Sequence, residues 1–495
     1  MSECSESFPC VKFKRKIDIA FRMYRRHRYQ LTSLLKTIKT PIIPTHQQFV
    51  KVHAPNELDK KAICIFAATG FFLDTDTYWQ NEKVLPPASE NTIDERGIWI
   101  ESKPWFTWHY SPRDIPFQTA LDEFTSLFEQ IIAEQVAKNS IILPLSGGLD
   151  SRTQAVALSK LENPVSSYSY SFKGGYPEHK IAKEIAKTCG FQFQEFTVEP
   201  GYLWSKLKEL AKINSCYSDF THPRQMAVLD DLEKMNGVFS LGHWGDVFFD
   251  CGIEETVTEE QLPEVILKKI IKKGGMELAT ALWDEWELKG AFEDYLRQRI
   301  SNLLANITIE KPSAKVRAFK SLYWAPRWTS VNLSVFEAAH PITLPYYDDR
   351  MCEFICTIPE EYLADRKLQL AYIKKQAPEL AKITWQAQRP YNLYTFEKNK
   401  APNNLPYRIG NKLKRTVKEK MGKPYIQRNW ELQFVGMEND EQLQNYIFDK
   451  DFHLFISKSL VARFYNSFKA VDAVTYSHPV SMLLTLAVWK KKCNK

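Results

Sequence analysis

Residues 141–158 read IILPLSGGLDSRTQAVAL, and this stretch decides the fold of the chain. Its first part, Ile141–Leu145, is an apolar run that begins with β-branched residues, which predicts a buried parallel strand. Apolar residues at helical spacing follow in Thr153–Leu161, and they predict a helix. The chain must therefore turn from strand into helix at Ser146–Ser151.

This turn has the chemistry of a pyrophosphate site. Gly147 and Gly148 allow a tight turn and let backbone N–H groups approach a ligand without an intervening Cβ. Ser146 and Ser151 add hydroxyl donors, and the positive end of the new helix points at the same place. Asp150 by itself would repel phosphate, so its presence predicts a Mg²⁺ ion that bridges the phosphate oxygens.

Two other interpretations of the turn fit less well. The better-known phosphate loop requires Gly-x-x-x-x-Gly-Lys-Ser/Thr, and residues 145–152 have neither that spacing nor the lysine. The structural alternative is a serine- and glycine-rich turn capped by an aspartate. A shorter motif would favour that interpretation. The order of strand, double glycine, Asp-Ser and helix favours nucleotide binding.

The hexapeptide SGGLDS at Ser146–Ser151 resembles the signature of the PP-loop ATP pyrophosphatases. In the longer form LSGGLDS it is most similar to the synthetase domain of asparagine synthetase and its relatives. The resemblance implies an α/β fold of the adenine nucleotide alpha hydrolase type, with a parallel sheet and a helical C-terminal half. It also implies cleavage of ATP between the α and β phosphates. The expected nucleotide-binding residues are Leu145, Ser146, Gly147, Gly148, Leu149, Asp150, Ser151, Ser171, Phe172 and Gly242.

Strand and helix patterns alternate after the turn. Residues 166–172 form a β-type run, a helix is expected from Glu178 to Gly190, and Phe191–Val198 has the pattern of the next strand. Such alternation builds a right-handed parallel sheet that binds ligands at its carboxyl edge. Ser171 and Phe172 are therefore expected near the adenine base.

A second motif, GHWGD at Gly242–Asp246, follows a short apolar run. It resembles the Gly-x-Gly-x-Asp-Glu loop of asparagine synthetases, in a form seen in divergent relatives. The match makes Asp246 the second Mg²⁺ carboxylate, opposite Asp150. His243 and Val247 stand where the family has glutamates. His243 is predicted either to act as a general base for an incoming amine or to orient the loop or bind a phosphate.

Another departure from the family concerns a lysine that stabilises the transition state of adenylation. The corresponding turn includes Arg389 and Pro390, and Tyr391 occupies the place of the lysine. Loss of that positive charge would cost on the order of a hundredfold in rate. Arg389, with Lys374 and Lys398 as alternatives, is the predicted catalytic replacement.

The N-terminal part resembles a shortened glutaminase domain. Residues 60–115 contain short β-type runs separated by turn residues, and 68–110 are similar to the end of that domain in asparagine synthetases. The family's glutaminase uses an N-terminal cysteine, whereas residue 2 here is Ser2 and the first cysteine is Cys4. We therefore expect a basic segment at 1–40, a small β-rich vestigial domain of the N-terminal-nucleophile type at 41–115, and a synthetase domain at 116–495.

Composition describes an ordinary globular protein of 495 residues, with 44% hydrophobic and 25% charged residues. No apolar run approaches the roughly 18–20 residues that span a bilayer, and a cytoplasmic location is expected. Nine cysteines without paired spacing predict reduced thiols. The net charge of +7 is mild, so no nucleic-acid partner is expected.

Residues 12–39 carry ten Lys/Arg and one acid, Asp18, among interspersed apolar residues. This pattern fits a helix on an anionic membrane or an acidic partner, and it also fits a solvated terminal helix on its own domain.

Together these features predict an ATP- and Mg²⁺-dependent ligase that adenylates a carboxylate, releases pyrophosphate and then accepts ammonia or an amine. The resemblance makes aspartate the default substrate, and the departures favour a sugar acid or a peptide carboxylate. Ammonia would come from solution or from a separate glutaminase. The alternatives are a non-catalytic ATP-binding relative and a PP-loop enzyme that modifies RNA.

Overall fold

The computed structural model describes residues 35–177, 179–422 and 424–493. Ser2, Cys4, Glu178 and most of the basic segment 12–39 lie outside the described residues. In the part of the chain that is described, no helix is long and apolar enough to cross a membrane. The cysteines of the same part are free thiols, as predicted.

The chain contains strands and helices throughout the described residues. The strands are β1 (Lys36–Lys39), β2 (Phe49–Lys51), β3 (Glu82–Val84), β4 (Ser89–Ile93), β5 (Trp99–Pro104), β6 (Ile141–Pro144), β7 (Val165–Phe172), β8 (Gln192–Val198), β9 (Val238–Ser240) and β10 (Ile342–Thr343). The α-helices of the first half are α1 (Lys60–Thr69), α2 (Phe117–Val136), α3 (Leu149–Leu158), α4 (His179–Thr188), α5 (Tyr202–Ile213), α6 (Leu229–Leu232) and α7 (Gly245–Phe248).

The second half is mostly helical, as predicted. Its helices are α8 (Leu262–Ile270), α9 (Gly275–Glu285), α10 (Phe292–Ala305), α11 (Pro312–Phe319), α12 (Ser330–Ala339), α13 (Asp349–Cys356), α14 (Glu360–Leu363), α15 (Lys367–Gln376), α16 (Pro378–Lys382), α17 (Leu405–Lys420), α18 (Asn429–Phe434), α19 (Met437–Ile447), α20 (Lys458–Ala470) and α21 (Ala473–Cys493). A π-helix, Lys320–Thr329, joins α11 to α12.

A five-stranded parallel sheet forms the centre of the fold, with strand order β10-β9-β6-β7-β8. The register pairs Ile141 of β6 with Val165 of β7 on one side and with Val238 of β9 on the other. From β6 the chain proceeds to β7 and β8 at one edge, then returns to add β9 and β10 on the other side of β6. Ligands bind at such a reversal, at the carboxyl ends of the strands. The loops after β6 and β9 meet there.

The first three residues of strand β6 are buried. Ile141, Ile142 and Leu143 are 0% exposed, because neighbouring strands pair with both edges and helices pack over the sheet. This burial explains why the sequence shows a continuous apolar run instead of an alternating one. The predicted α/β fold with a central parallel sheet is confirmed.

The prediction of a β-type run in residues 60–72 is wrong, because this stretch contains helix α1. The Asp59 side chain accepts a hydrogen bond from the Ala62 N–H at the start of the helix, and Gly70 ends it with φ 82°. All residues from Ala62 to Thr69 are buried, so no polar stripe reveals the helical period. Close packing against α9 explains this burial: a Cβ at Gly275 would overlap the carbonyl oxygen of Ala68.

Strand β5 contains part of the expected run at 97–100, whereas residues 85–88, also expected as a β-type run, connect β3 to β4. Strands β1, β4 and β5 form an antiparallel sheet, and β2 pairs with β3. The side chains of this region belong to the same hydrophobic core as the C-terminal helices, since the Tyr78 ring stacks on Trp489 of α21 at 4.2 Å between centroids. The domain boundaries at 40 and 115 stay a prediction.

Candidate active site

Two loops lie side by side at the carboxyl edge of the sheet, the nucleotide loop (Leu145–Ser151) and the GHWGD loop (Gly242–Asp246). Their contact depends on glycine. A Cβ on Gly242 would lie 3.1 Å from the Cβ of Asp150, and one on Gly245 would lie 2.8 Å from the Asp150 Cγ. Without side chains at these two positions, Asp150 can approach the backbone of the GHWGD loop closely.

The nucleotide loop is held by hydrogen bonds from the amides that the sequence assigns to phosphate. The Ser146 N–H donates to Ser151 Oγ at 3.1 Å, and the Gly148 N–H donates to Ser146 Oγ at 3.2 Å. The Gly147 N–H donates to Oε1 of Gln386 at 3.0 Å, and the Gln386 N–H donates back to the Gly147 carbonyl at 3.0 Å. Phosphate oxygens would replace these side-chain oxygens as acceptors.

Arg152 ties the nucleotide loop to a distant part of the chain. Its guanidinium is 0% exposed and donates to the carbonyl oxygens of Leu380, Ile383, Thr384 and Gly147. These bonds satisfy a buried charge with backbone acceptors, although burial lowers the pKa of Arg152 to about 10. Arg152 therefore positions residues 380–386 beside the loop.

Asp150 already has partners in this structure. Its Oδ1 accepts hydrogen bonds from the Arg366 guanidinium and, at 3.1 Å, from the Gln369 amide, which also donates to the Tyr346 hydroxyl at 2.9 Å. Burial raises the pKa of the Asp150 carboxyl to about 6, with Arg366 acting against the rise and Asp246 adding to it. The carboxylate, with its side chain 25% exposed, is thus a half-buried anion that a second cation would stabilise further.

The two predicted magnesium ligands, Asp150 and Asp246, both line one cavity. Within the described ranges, no cluster of three or more histidine, cysteine or acidic side chains is placed to hold a metal. Two carboxylates nevertheless fit Mg²⁺, which proteins often bind through one or two carboxylates together with substrate phosphates. The donor set therefore suits an ion that arrives with a nucleotide.

The cavity between the loops has a volume of about 700 Å³. Both loops line it, together with residues of the π-helix and of α12. Its lining includes Leu145, Ser146, Asp150, Ser151, Tyr168, Arg224, Gly242, His243, Asp246, Lys320, Trp324, Trp328, Phe336 and Gln386. This volume is in the range of ligand and cofactor sites.

The remaining predicted nucleotide residues lie around this cavity. Gly147, Gly148 and Leu149 shape the loop without lining the cavity. Ser171 and Phe172 line a smaller neighbouring cavity of about 380 Å³, which shares Tyr170 and Arg224 with the main one. The structure thus brings the two motifs together and places the Ser171–Phe172 pair at a side compartment.

His243 lines the main cavity beside Asp246. Its Nδ1 is buried and has no hydrogen-bond partner among the described residues. Burial lowers the pKa of His243 to about 4, although Asp246 opposes this effect. The imidazole is therefore neutral at pH 7 and less basic than a residue with a pKa near neutrality.

The cations that line the main cavity are not those expected from the sequence. Arg389, Lys374, Lys398 and Tyr391 do not line it, and the Tyr391 hydroxyl donates to the Asn403 carbonyl at 2.8 Å. Among the described residues, the lining of this cavity contains one lysine, Lys320, and one arginine, Arg224. Burial lowers the pKa of Lys320, with Lys269 adding to this effect and Asp246 opposing it.

Lys320 begins the π-helix that supplies the aromatic wall of the cavity. Trp324 and Trp328 follow at intervals of four residues and also line it. Next to this wall, the Trp244 indole N–H donates to Ser321 Oγ at 3.2 Å, which joins the GHWGD loop to the same helix. π-helical segments occur often at functional sites.

Sequence reasoning missed Lys320, Arg224, Arg366, Gln369 and Gln386. The sequence did contain a pattern that indicates Lys320. Lys320, Trp324 and Trp328 are spaced four residues apart, which places all three on one helical face. Arg366, Gln369 and Gln386 lie far along the chain from the nucleotide loop that they contact, and no local pattern marks them or Arg224.

Comparison with known proteins agrees with the geometry. The model of the asparagine synthase family matches residues 123–491. No curated protein matches the chain. A solved structure of NMN synthetase from Francisella tularensis is 15% identical over 42% of this chain and 92% of that chain, with a TM-score of 0.22, which is too low to carry an argument. Because the family model covers well over half of the 495 residues, the chain belongs to the asparagine synthase family.

Proposed function

We propose that the protein is an ATP-dependent ligase that forms amide bonds. A carboxylate oxygen attacks the α-phosphorus of ATP, the bond to the β-phosphate oxygen breaks, and pyrophosphate leaves. Ammonia or an amine then attacks the acyl adenylate and releases AMP. The observation that carries this proposal is the meeting of the nucleotide loop and the GHWGD loop at one cavity, with Asp150 and Asp246 both lining it.

The nucleotide loop would bind the triphosphate. Its amides and the hydroxyls of Ser146 and Ser151 are donors at the start of helix α3, where the helix dipole favours an anion. Asp150 and Asp246 would hold Mg²⁺, which supplies charge neutralisation at the phosphate oxygens when bound. Arg366 keeps the Asp150 carboxylate ionised more readily than burial alone would allow.

Lys320 and Arg224 supply the positive charge that Tyr391 cannot. Lys320 lines the same cavity as the nucleotide loop, and its surroundings include Asp246. A cation preorganised there would stabilise the charge that develops on the phosphate as the acyl adenylate forms. This placement supports catalysis over a purely nucleotide-binding role.

The aromatic wall bears on the choice of carboxylate. Trp324, Trp328 and Phe336 give the cavity an apolar surface. Aspartate has little surface to cover such a wall, whereas a sugar ring or a peptide side chain would pack against it. We therefore favour a sugar acid or a peptide carboxylate as the substrate over aspartate.

The non-catalytic alternative rests on Tyr391, which replaces the family's lysine. It predicts that ATP binds and is not consumed. An enzyme that modifies RNA would instead consume ATP only when RNA is added.

The direct test is AMP formation in the presence of ATP, Mg²⁺, ammonia and a panel of amino acids, sugar acids and short peptides. We expect AMP with one class of carboxylate, an amide product of matching mass, and loss of both in Asp150→Asn. The matched control is Asp122→Asn, which alters an exposed aspartate on α2 and should retain activity. Binding of ATP without AMP formation with any acid or RNA would contradict the proposal.

A further inference from the structure

Helix α17 exposes a continuous apolar stripe. Leu405, Ile409, Leu413 and Val417 follow at intervals of four residues, Met421 continues the series directly after the helix, and all five are 43–66% exposed. Residues at this spacing lie on one face of a helix. None of the residues in α17 is buried, so the stripe has no partner within the described chain.

The opposite side of α17 faces the body of the protein. Arg415 lines the smaller cavity together with Arg224 and Phe172. The Lys418 ammonium lies 3.8 Å from the ring centroid of Tyr425, which stacks on Tyr176 at 4.1 Å. The helix therefore turns polar side chains toward the protein and its apolar stripe toward solvent, the reverse of an ordinary surface helix.

The charge of α17 restricts what can cover the stripe. The helix carries six cations against one acid, Glu419. The cations are Arg408, Lys412, Lys414, Arg415, Lys418 and Lys420. Residues 1–34 of the same chain also have more basic than acidic residues, so like charges oppose their docking on α17. A second copy of the helix is opposed for the same reason.

We propose that α17 binds the surface of an anionic phospholipid bilayer. A helix with an apolar stripe and flanking lysines lies in the plane of such a surface, with the stripe in the acyl boundary and those cations that do not face the protein at the headgroups. Each step of four residues turns by about 40° around the helix, so the central Ile409, Leu413 and Val417 share an arc of about 80° that a flat surface can contact. Because Arg415 of α17 lines the smaller cavity together with Arg224, binding of α17 would bring that cavity close to the bilayer.

The experiment measures binding of the full chain to sedimented vesicles. One set of vesicles contains phosphatidylcholine alone, and the other contains equal parts of phosphatidylcholine and phosphatidylglycerol. We expect binding to the anionic vesicles that weakens as salt is added, and little binding to the neutral ones.

Two variants probe the helix itself. Leu413→Glu combined with Val417→Glu should weaken binding to anionic vesicles by roughly tenfold or more, since it removes buried apolar surface and adds repulsion. Lys412→Glu combined with Lys414→Glu should weaken it similarly and reduce its salt dependence. The side chains are exposed, so circular dichroism should show an unchanged fold. The control, Leu454→Glu with Met437→Glu, alters apolar side chains elsewhere that are 87% exposed, and it should bind like the unmodified chain.

Three results would overturn the proposal. Absence of binding to anionic vesicles would do so and would make an acidic protein groove the better occupant. Equal binding to neutral vesicles would remove the role of charge. If the Leu413/Val417 variant bound anionic vesicles as well as the unmodified chain does, the membrane contact would have to lie in another basic region, such as residues 12–39.

Discussion

Opposing electrostatic effects meet at Asp150. Burial raises the pKa of its carboxyl to about 6, the neighbouring charge of Arg366 limits the rise, and Asp246 adds to it. A carboxyl with this pKa changes its charge just below neutral pH, where an ordinary aspartate is already ionised. The charge state of Asp150 should therefore control nucleotide binding over a range in which most of the protein does not titrate.

We predict that affinity for ATP with Mg²⁺ falls as the pH is lowered through about 6, because protonated Asp150 cannot serve as a magnesium ligand. Equilibrium titration with a fluorescent ATP analogue between pH 5 and pH 8 measures this. Asp150→Asn should bind more weakly and should lose the pH dependence.

Arg366→Gln provides the sharper control for the same prediction. It removes the cation that limits the rise in the Asp150 pKa, so the midpoint of the binding curve should move to higher pH by about one unit or more. A midpoint that stays in place or moves to lower pH would contradict this role of the ion pair.

Variants of Lys320 and of Tyr391 should differ in their rate of AMP formation, because we propose that Lys320 supplies the positive charge of the family's lysine and that Tyr391 does not. Lys320→Met should reduce the rate of AMP formation by about a hundredfold, since it removes a cation from the cavity. Tyr391→Phe should change the rate little, because the hydroxyl bonds the Asn403 carbonyl away from the cavity. Similar rates in Lys320→Met and the unmodified chain would show that the charge comes from elsewhere.

At the scale of elements, the two loops depend on glycine to meet. Gly245→Ala would place a Cβ 2.8 Å from the Cγ of Asp150, so the GHWGD loop must move away. A displacement of about 1 Å in a reacting group can cost about a hundredfold in rate, and we predict a loss of that order in AMP formation.

The matched control for this glycine is Gly410→Ala. No atom lies within 4 Å of a Cβ built there, and the position is in helix α17. Alanine should leave the rate unchanged and raise the free energy of unfolding by about 0.5–1 kcal/mol. Equal loss of activity in both variants would show that the close approach of the loops has no special importance.

The elements differ in how well the sequence predicts them. Strand β6 follows from its apolar, β-branched run, and β7 and β8 follow from extended patterns bounded by turns. Helix α1 was missed because it is buried on all sides and therefore has no period. Its Asp59 cap and Gly70 end were present in the sequence and would have identified it.

At the scale of the whole molecule, the active site joins parts of the chain that are far apart in sequence. The motifs at 145–151 and 242–246 could be predicted to meet, because both follow strands of one parallel sheet. The contacts of Arg366 with Asp150 and of Gln386 with Gly147 could not. They depend on how the C-terminal helices pack over the sheet, which no local pattern specifies.

Arg152 should be the main link in this packing. Arg152→Leu leaves the carbonyls of residues 380–384 without their donor, and we predict that the free energy of unfolding falls by about 3 kcal/mol or more. Arg463→Leu, which breaks an exposed ion pair with Glu277, should cost less than about 1 kcal/mol. Denaturant titration compares the two, and equal losses would contradict the role given to Arg152.

The central claim is that the cavity between the two loops adenylates a carboxylate. Exchange of labelled pyrophosphate into ATP tests this step alone, without the nitrogen donor, because pyrophosphate can reverse only an adenylation. The account predicts exchange that requires Mg²⁺, one class of carboxylic acid and an intact Asp150. Tight binding of ATP with no exchange for any acid would contradict it and leave a nucleotide-binding protein without ligase activity.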